Sequence, residues 1–142
     1  MPGLIEAALS QWGEAERVGN AANPRMLDYL AAAGIRLPSD VIPWCGCFMT
    51  WCAAHAGIVP PPHPAVARSW LTIGQVVTDP KVGDIVVIQR GETWQGHVGL
   101  FIRRDGDKVL VLGGNQGDQV CIAGHKASAI LGIRRLEVRN GV

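Results

Sequence analysis

The chain has 142 residues, with thirteen basic against twelve acidic side chains and a net charge of +1. That length is one domain, able to bury about two-thirds of its unfolded surface, so residues 1–142 are expected to fold as a single unit without staples. The near-neutral charge leaves no electrostatic footprint for nucleic acid or an anionic membrane, and 48% hydrophobic residues with a mean hydropathy of +0.17 exclude a long disordered tail.

The N-terminus, Met1-Pro2-Gly3-Leu4-Ile5-Glu6, lacks a basic segment followed by an apolar run, so no signal peptide is expected. No apolar run approaches membrane-span length either. The expectation is synthesis in a cytoplasm, no membrane insertion, and a separate route out for any extracellular action.

Leu4 to about Arg17 carries Ile5, Ala8, Leu9 and Trp12 at helical spacing. Asn23-Pro24 predicts a second helix, with Asn as cap, Pro at the first position and Gly34 as stop. A third helix is expected from Trp44 or Cys45 to Gly57, with Cys45, Phe48, Met49, Cys52 and Ala56 on one face. Four prolines between Pro60 and Pro64 break the chain before a short segment at Ala65–Leu71. Strands are predicted at Asp84–Gln89, His97–Arg103 and Lys108–Leu112, the last two joined by a hairpin turn at Asp105-Gly106. Further strands are expected at Val120–Ile122 and Ile133–Val138. Helices first and a mostly antiparallel sheet after is an α+β arrangement.

Cys45, Cys47 and Cys52 crowd one helix and Cys121 stands alone. Helical geometry points Cys45 and Cys47 about 200° apart, so reduced thiols are expected. Zinc is a poor fit, because C-x-C-x4-C-x2-H over Cys45, Cys47, Cys52 and His55 matches none of the usual ligand patterns. Cys45, on the first turn, faces orphan amides and the positive end of the helix dipole, which favours a thiolate and can hold an oxyanion. Gly46 behind it lets a substrate backbone approach closely. Cys47 and Cys52 read as packing residues.

A cysteine nucleophile needs a base. His55 is roughly 15 Å along the same helix and cannot reach. His63 lies among prolines, and His125 in a polar loop after the sheet. His97, in Gly96-His97-Val98-Gly99, starts a strand and shares a face with Gly99, whose missing side chain would let the cysteine helix pack close. Opposite it, Gly113-Gly114-Asn115-Gln116 supplies an orienting group. Asn115 is the choice in either hairpin register, with Gln116 and Asp118 as rivals and plain turn chemistry as the bland reading. Of five tryptophans, Trp12 and Trp51 read as packing residues. Trp44, Trp70 and Trp94 flank the motif segments and are candidates either to wall a substrate cleft, together with Gly46 and Gln116, or simply to pack.

With these segments in order, the sequence resembles the small bacterial and phage cysteine peptidases of the NlpC and CHAP type. The carrying stretches are Asn23–Leu30, Pro43–Phe48, Ala67–Leu71, Val82–Val87, Gly96–Gly99 and Leu112–Gln116. The resemblance implies a papain-like α+β fold and a peptidoglycan amidase or endopeptidase, with no metal or organic cofactor. It implies Cys45 as nucleophile, His97 as general base and Asn115 in the third, orienting position. It also implies a thioester acyl-enzyme, and a peptidoglycan peptide as the substrate partner. Action would be in the periplasm or cell wall, after phage lysis or delivery by a secretion apparatus, with a delivery partner or inhibitor left open. The family usually has small residues such as alanine after the cysteine, where Gly46-Cys47 stands here. Two other readings compete: a papain-like hydrolase or acyltransferase on a non-wall substrate, and a catalytically silent binding module.

Overall fold

The computed structural model describes residues 3–15, 24–35, 44–91 and 95–137. Three helices, α1 (Leu4–Leu9), α2 (Pro24–Ala32) and α3 (Cys45–Ala56), precede a 3-10 helix over Ala67–Thr72. The strands are β1 (Gln75–Val76), β2 (Ile85–Gln89), β3 (Gly96–Asp105), β4 (Lys108–Gln116), β5 (Gln119–Lys126) and β6 (Ile130–Arg135). They form an antiparallel sheet in the order β1-β6-β2-β3-β4-β5. The α+β expectation is met. No helix among the described residues is long and apolar enough to cross a membrane.

The helices lie on one face of the sheet. There Met26, Tyr29, Leu30, Phe48, Met49 and Cys52 pack against Ile85, Val87, Val98, Leu100 and Leu112. The alternate side chains Val86, Ile88, Phe101, Val109 and Val111 form a second cluster on the opposite face, as a period of two requires. The bidentate pair between Arg135 and buried Asp84, at 2.9 and 2.8 Å, ties β6 to the start of β2.

Helix α3 follows its expected bounds, and Gly57 closes it in the left-handed conformation at φ 70°. Gly34 at φ 80° ends the turn after α2; Asn23, the expected cap, lies outside the described residues. Helix α1 is shorter than the periodicity predicts. Past Leu9 the chain turns through Gly13, whose N–H donates to Val120 O, while Val120 N–H donates to Glu14 O. These bonds to β5 take the segment out of the helix and leave Trp12 55% exposed rather than packed. Trp51 packs as expected, edge-on to Tyr29. All four cysteines are free thiols.

The sheet runs longer than the sequence indicates. β4 reaches Gln116, β5 reaches Lys126, and the short edge strand β1 was not foreseen. The β3–β4 turn sits one residue later than Asp105-Gly106, with Asp105 paired to Lys108, and an irregularity between Phe101 and Arg103 shifts the register back.

Candidate active site

The site is built where β3 and β4 part. Their last pair is Leu100↔Leu112. Phe101 exchanges its backbone bonds with the chain at Gly83 and Asp84, beside β2. By alternation the Val98 amide faces β4, but no β4 partner meets it. The start of α3 lies there, where the Val98 amide, with those of Gly46 and Cys45 itself, favours the thiolate form of Cys45.

Close approach is made possible by Gly114 on β4, not by Gly99. A Cβ on Gly114 would collide with the Trp44 ring and Phe48 Cβ, whereas one on Gly99 would meet Val111 on the far face. This corrects the expectation that the face shared by His97 and Gly99 receives the cysteine helix. His97 and Gly99 point away from the helices, and the parted strands are what place the sulfur one residue from His97.

Trp44 and Trp70 are 1% and 0% exposed and cannot wall a cleft. Trp44 is a wedge, stacked on Tyr29 at 5.8 Å and lying edge-on to Phe48, and it fixes the entry of α3. Trp70 donates through Nε1 to Pro64 O at 2.9 Å. Gly46 faces that same Pro64 carbonyl and that of Ala65, so its missing side chain admits the protein's own backbone rather than a substrate's. Trp94 lies outside the described residues.

Gln116 holds His97. The His97 Nε2 to Gln116 Oε1 distance is 2.9 Å, and the Gln116 Nε2 donates to Val111 O at 3.0 Å and Cys121 O at 2.6 Å. Two carbonyl acceptors fix which end of the amide is NH2, so Oε1 must accept. His97 therefore carries its proton on Nε2 and keeps a lone pair on Nδ1, ready to take a proton.

No hydrogen bond joins Asn115 to His97. β4 and β5 pair as Gly113↔Cys121 and then Gln116↔Gln119, a bulge that inserts one residue at Gly114-Asn115. Asn115 takes the left-handed conformation at φ 58°, which asparagine tolerates better than most residues. In a regular strand Gln116 would face the helices; the extra residue turns its side chain to His97 instead.

His125 is the residue that the sequence reading passed over. It sits on β5 opposite Val109, not in a loop. Its ring lies 5.1 Å from that of His97, nearly parallel, and its Nε2 is also 2.9 Å from Gln116 Oε1. Both lone pairs of that oxygen are thus occupied. A cavity of about 320 Å³ opens on this side, lined by residues including Arg90, His97, Asn115, Gln116 and His125. Among the described residues no three His, Cys, Asp or Glu side chains are grouped to hold a metal ion.

Burial dominates the proton affinities. It pushes the Cys45 thiol up, against the lowering pull of the Val98 and Gly46 amides and of Arg90. It also depresses His97 to about 4, helped by His125 and Arg90 and opposed by the Gln116 bond. The resting pair is a neutral thiol and a neutral imidazole, so the helix-start amides do not outweigh desolvation. Cys47 is pushed up to about 12 by burial and by the neighbouring Cys45.

A stability effect follows. An unfolded histidine binds its proton near pH 6.5, whereas native His97 does so only near 4. Across that window the unfolded chain holds the extra proton, so stability falls as pH drops from 6.5 to 4, by about 3 kcal/mol from this group. Urea midpoints at pH 7 and pH 4 should show this loss, and His97→Asn should reduce it.

Residues 38–115, more than half of the chain, match the family model described as the CHAP domain. No curated protein matches the sequence. Among solved structures, one from Staphylococcus aureus subsp. aureus Mu50, described as similar to lipoprotein and of the NLP/P60 family, aligns with a TM-score of 0.55 and 18% identity. The alignment covers 96% of this chain and 41% of that one, so the chain spans about two-fifths of that protein's length. That likeness identifies the fold as the papain-like α+β type. The sequence match over the cysteine helix, β2, β3 and most of β4 goes further: the chain belongs to the CHAP domain family.

Proposed function

We propose that residues 1–142 form one catalytic unit that hydrolyses amide bonds in peptidoglycan peptides through a thioester on Cys45. The observation that carries this reading is the placement of Cys45, on the first turn of α3, beside the backbone amide of Val98, the residue that follows His97 on β3. The His97 ring is in turn held by Gln116. A packing cysteine needs neither.

On this reading His97 Nδ1 takes the thiol proton as the sulfur attacks the scissile carbonyl, so no resting thiolate is required. The amides at the start of α3 receive the oxyanion, in surroundings dry enough for each hydrogen bond to count strongly. His97 then gives its proton to the leaving amine, which departs as the C–N bond breaks. Next it takes a proton from water, whose oxygen attacks the thioester and frees Cys45. Gln116 is the positioning residue, in the place that the family resemblance assigns to Asn115. The reaction needs no cofactor, and its place is the cell wall, reached through phage lysis or a secretion route.

Incubation with purified peptidoglycan tests the substrate. The expected result is soluble fragments bearing new amino groups, identified by mass spectrometry. Absence of release from walls of several cross-link types would remove peptidoglycan as the substrate.

A further inference from the structure

Arg90 follows the last residue of β2 and lines the cavity beside His97, Asn115, Gln116 and His125. Among the described residues no aspartate or glutamate lines that cavity. Three other arginines have carboxylate partners, Arg25 with Asp28, Arg103 with Asp105 and Arg135 with Asp84, while Arg68, Arg104 and Arg134 bond backbone carbonyls. Arg90 forms no ion pair among the described residues. It is an exposed cation beside the His97 cavity.

The side of the cleft follows from the chemistry. The acyl half of the substrate is bonded to Cys45, and the leaving amine must be within reach of His97, which protonates it. The residue that owns this amine therefore extends past His97 into the cavity where Arg90 sits. We propose that Arg90 receives a carboxylate of that residue, so the preferred substrates are peptides whose newly released amine belongs to a residue with a carboxylate close to it. A guanidinium presents a planar fork of donors that suits a carboxylate with two parallel hydrogen bonds.

The electrostatics give an independent reason for an anion there. The charge of Arg90 disfavours the imidazolium of His97, which must form during attack. A substrate carboxylate on Arg90 cancels that field when the proton is transferred, so correct substrates also assist the base. Small Gly117 and Ala123 on the same wall leave room beside the cation.

The inference rests on the amide-hydrolase reading, and a pair of alkylating agents separates the two. Iodoacetate and iodoacetamide have nearly the same shape and differ in charge. Rates at Cys45, located by peptide mapping, are taken as a ratio and normalised to the same ratio on glutathione. The ratio cancels any change in thiolate population. The expected result is a normalised preference for iodoacetate of roughly tenfold, the lower end of what a focused charge gives, falling to about one in Arg90→Gln. Equal rates in the wild type, or a preference that survives Arg90→Gln, would overturn the carboxylate site while leaving the nucleophile intact. Failure of both reagents to modify Cys45 in the native protein, with full labelling after unfolding, would overturn both readings.

Discussion

Cys45→Ala is expected to lower turnover by about a million-fold, the scale seen when a covalent nucleophile is removed from a site that acts as one unit. The loss is chemical rather than structural. Cys45 contributes one sulfur to a helix otherwise anchored by Trp44, Phe48 and Met49, so the melting temperature should move by only a few degrees. Cys47→Ala is the matched control. Cys47 is fully buried among the core side chains of the helices and is read as a packing thiol, so its variant should keep most of the activity. Steady-state rates with circular dichroism on the three proteins check this. An active Cys45→Ala beside a dead Cys47→Ala would reverse the assignment.

Gln116→Ala is expected to lower kcat/KM by about a hundredfold or more, because a histidine released from its orienting partner samples the wrong tautomer. It also leaves a buried His97 N–H and the Val111 carbonyl without their partner, at about 1–3 kcal/mol each. A purely structural role would produce the second effect alone, so the pH profile is the deciding readout. Gln116→Glu places an anion against Nε2 and should move the acid limb of kcat/KM upward from the neighbourhood of pH 4, since His97 then keeps its proton to higher pH. Asn115→Ala should stay within about threefold of wild type by the same argument, for no hydrogen bond joins that side chain to His97. Loss of activity in Asn115→Ala with full activity in Gln116→Ala would return the orienting role to Asn115.

The contrast between Asn115 and Gln116 shows where sequence reading ends. The bounds of α3 were legible because local chemistry sets them: a break before Cys45 and a glycine at Gly57 that can adopt positive φ. The cores of β2, β3 and β4 were legible because runs such as Ile85-Val86-Val87-Ile88 leave few alternatives. Cys45 and His97 stood out as candidates because each sits at the start of such an element. The rest depended on single-residue events. The irregularity near Ile102 and the bulge at Gly114-Asn115 each move a strand by one residue, and one residue exchanges the two faces. The glycines and asparagine that permit the second bulge also read as an ordinary turn, which hid both the role of Gln116 and the extension of β5 that carries His125 to the site. Trp44 and Trp70 misled for another reason. Nearness in sequence to a candidate site segment does not say whether a ring faces solvent, and here both rings are buried, Trp44 stacked on Tyr29 and Trp70 bonded to the Pro64 carbonyl.

The proposed mechanism turns on a covalent acyl group on Cys45 that His97 helps to form and to release. The most direct measurement is intact-mass and peptide-mapping analysis of the wild type, quenched in acid during turnover of a peptidoglycan peptide. The expected result is a mass increase equal to the acyl half of the substrate. It should be confined to the peptide containing Cys45, be removed by hydroxylamine as a thioester is, and be absent from Cys45→Ala and His97→Ala. Fragment release with no adduct on Cys45, or with the adduct on Cys47, would contradict it.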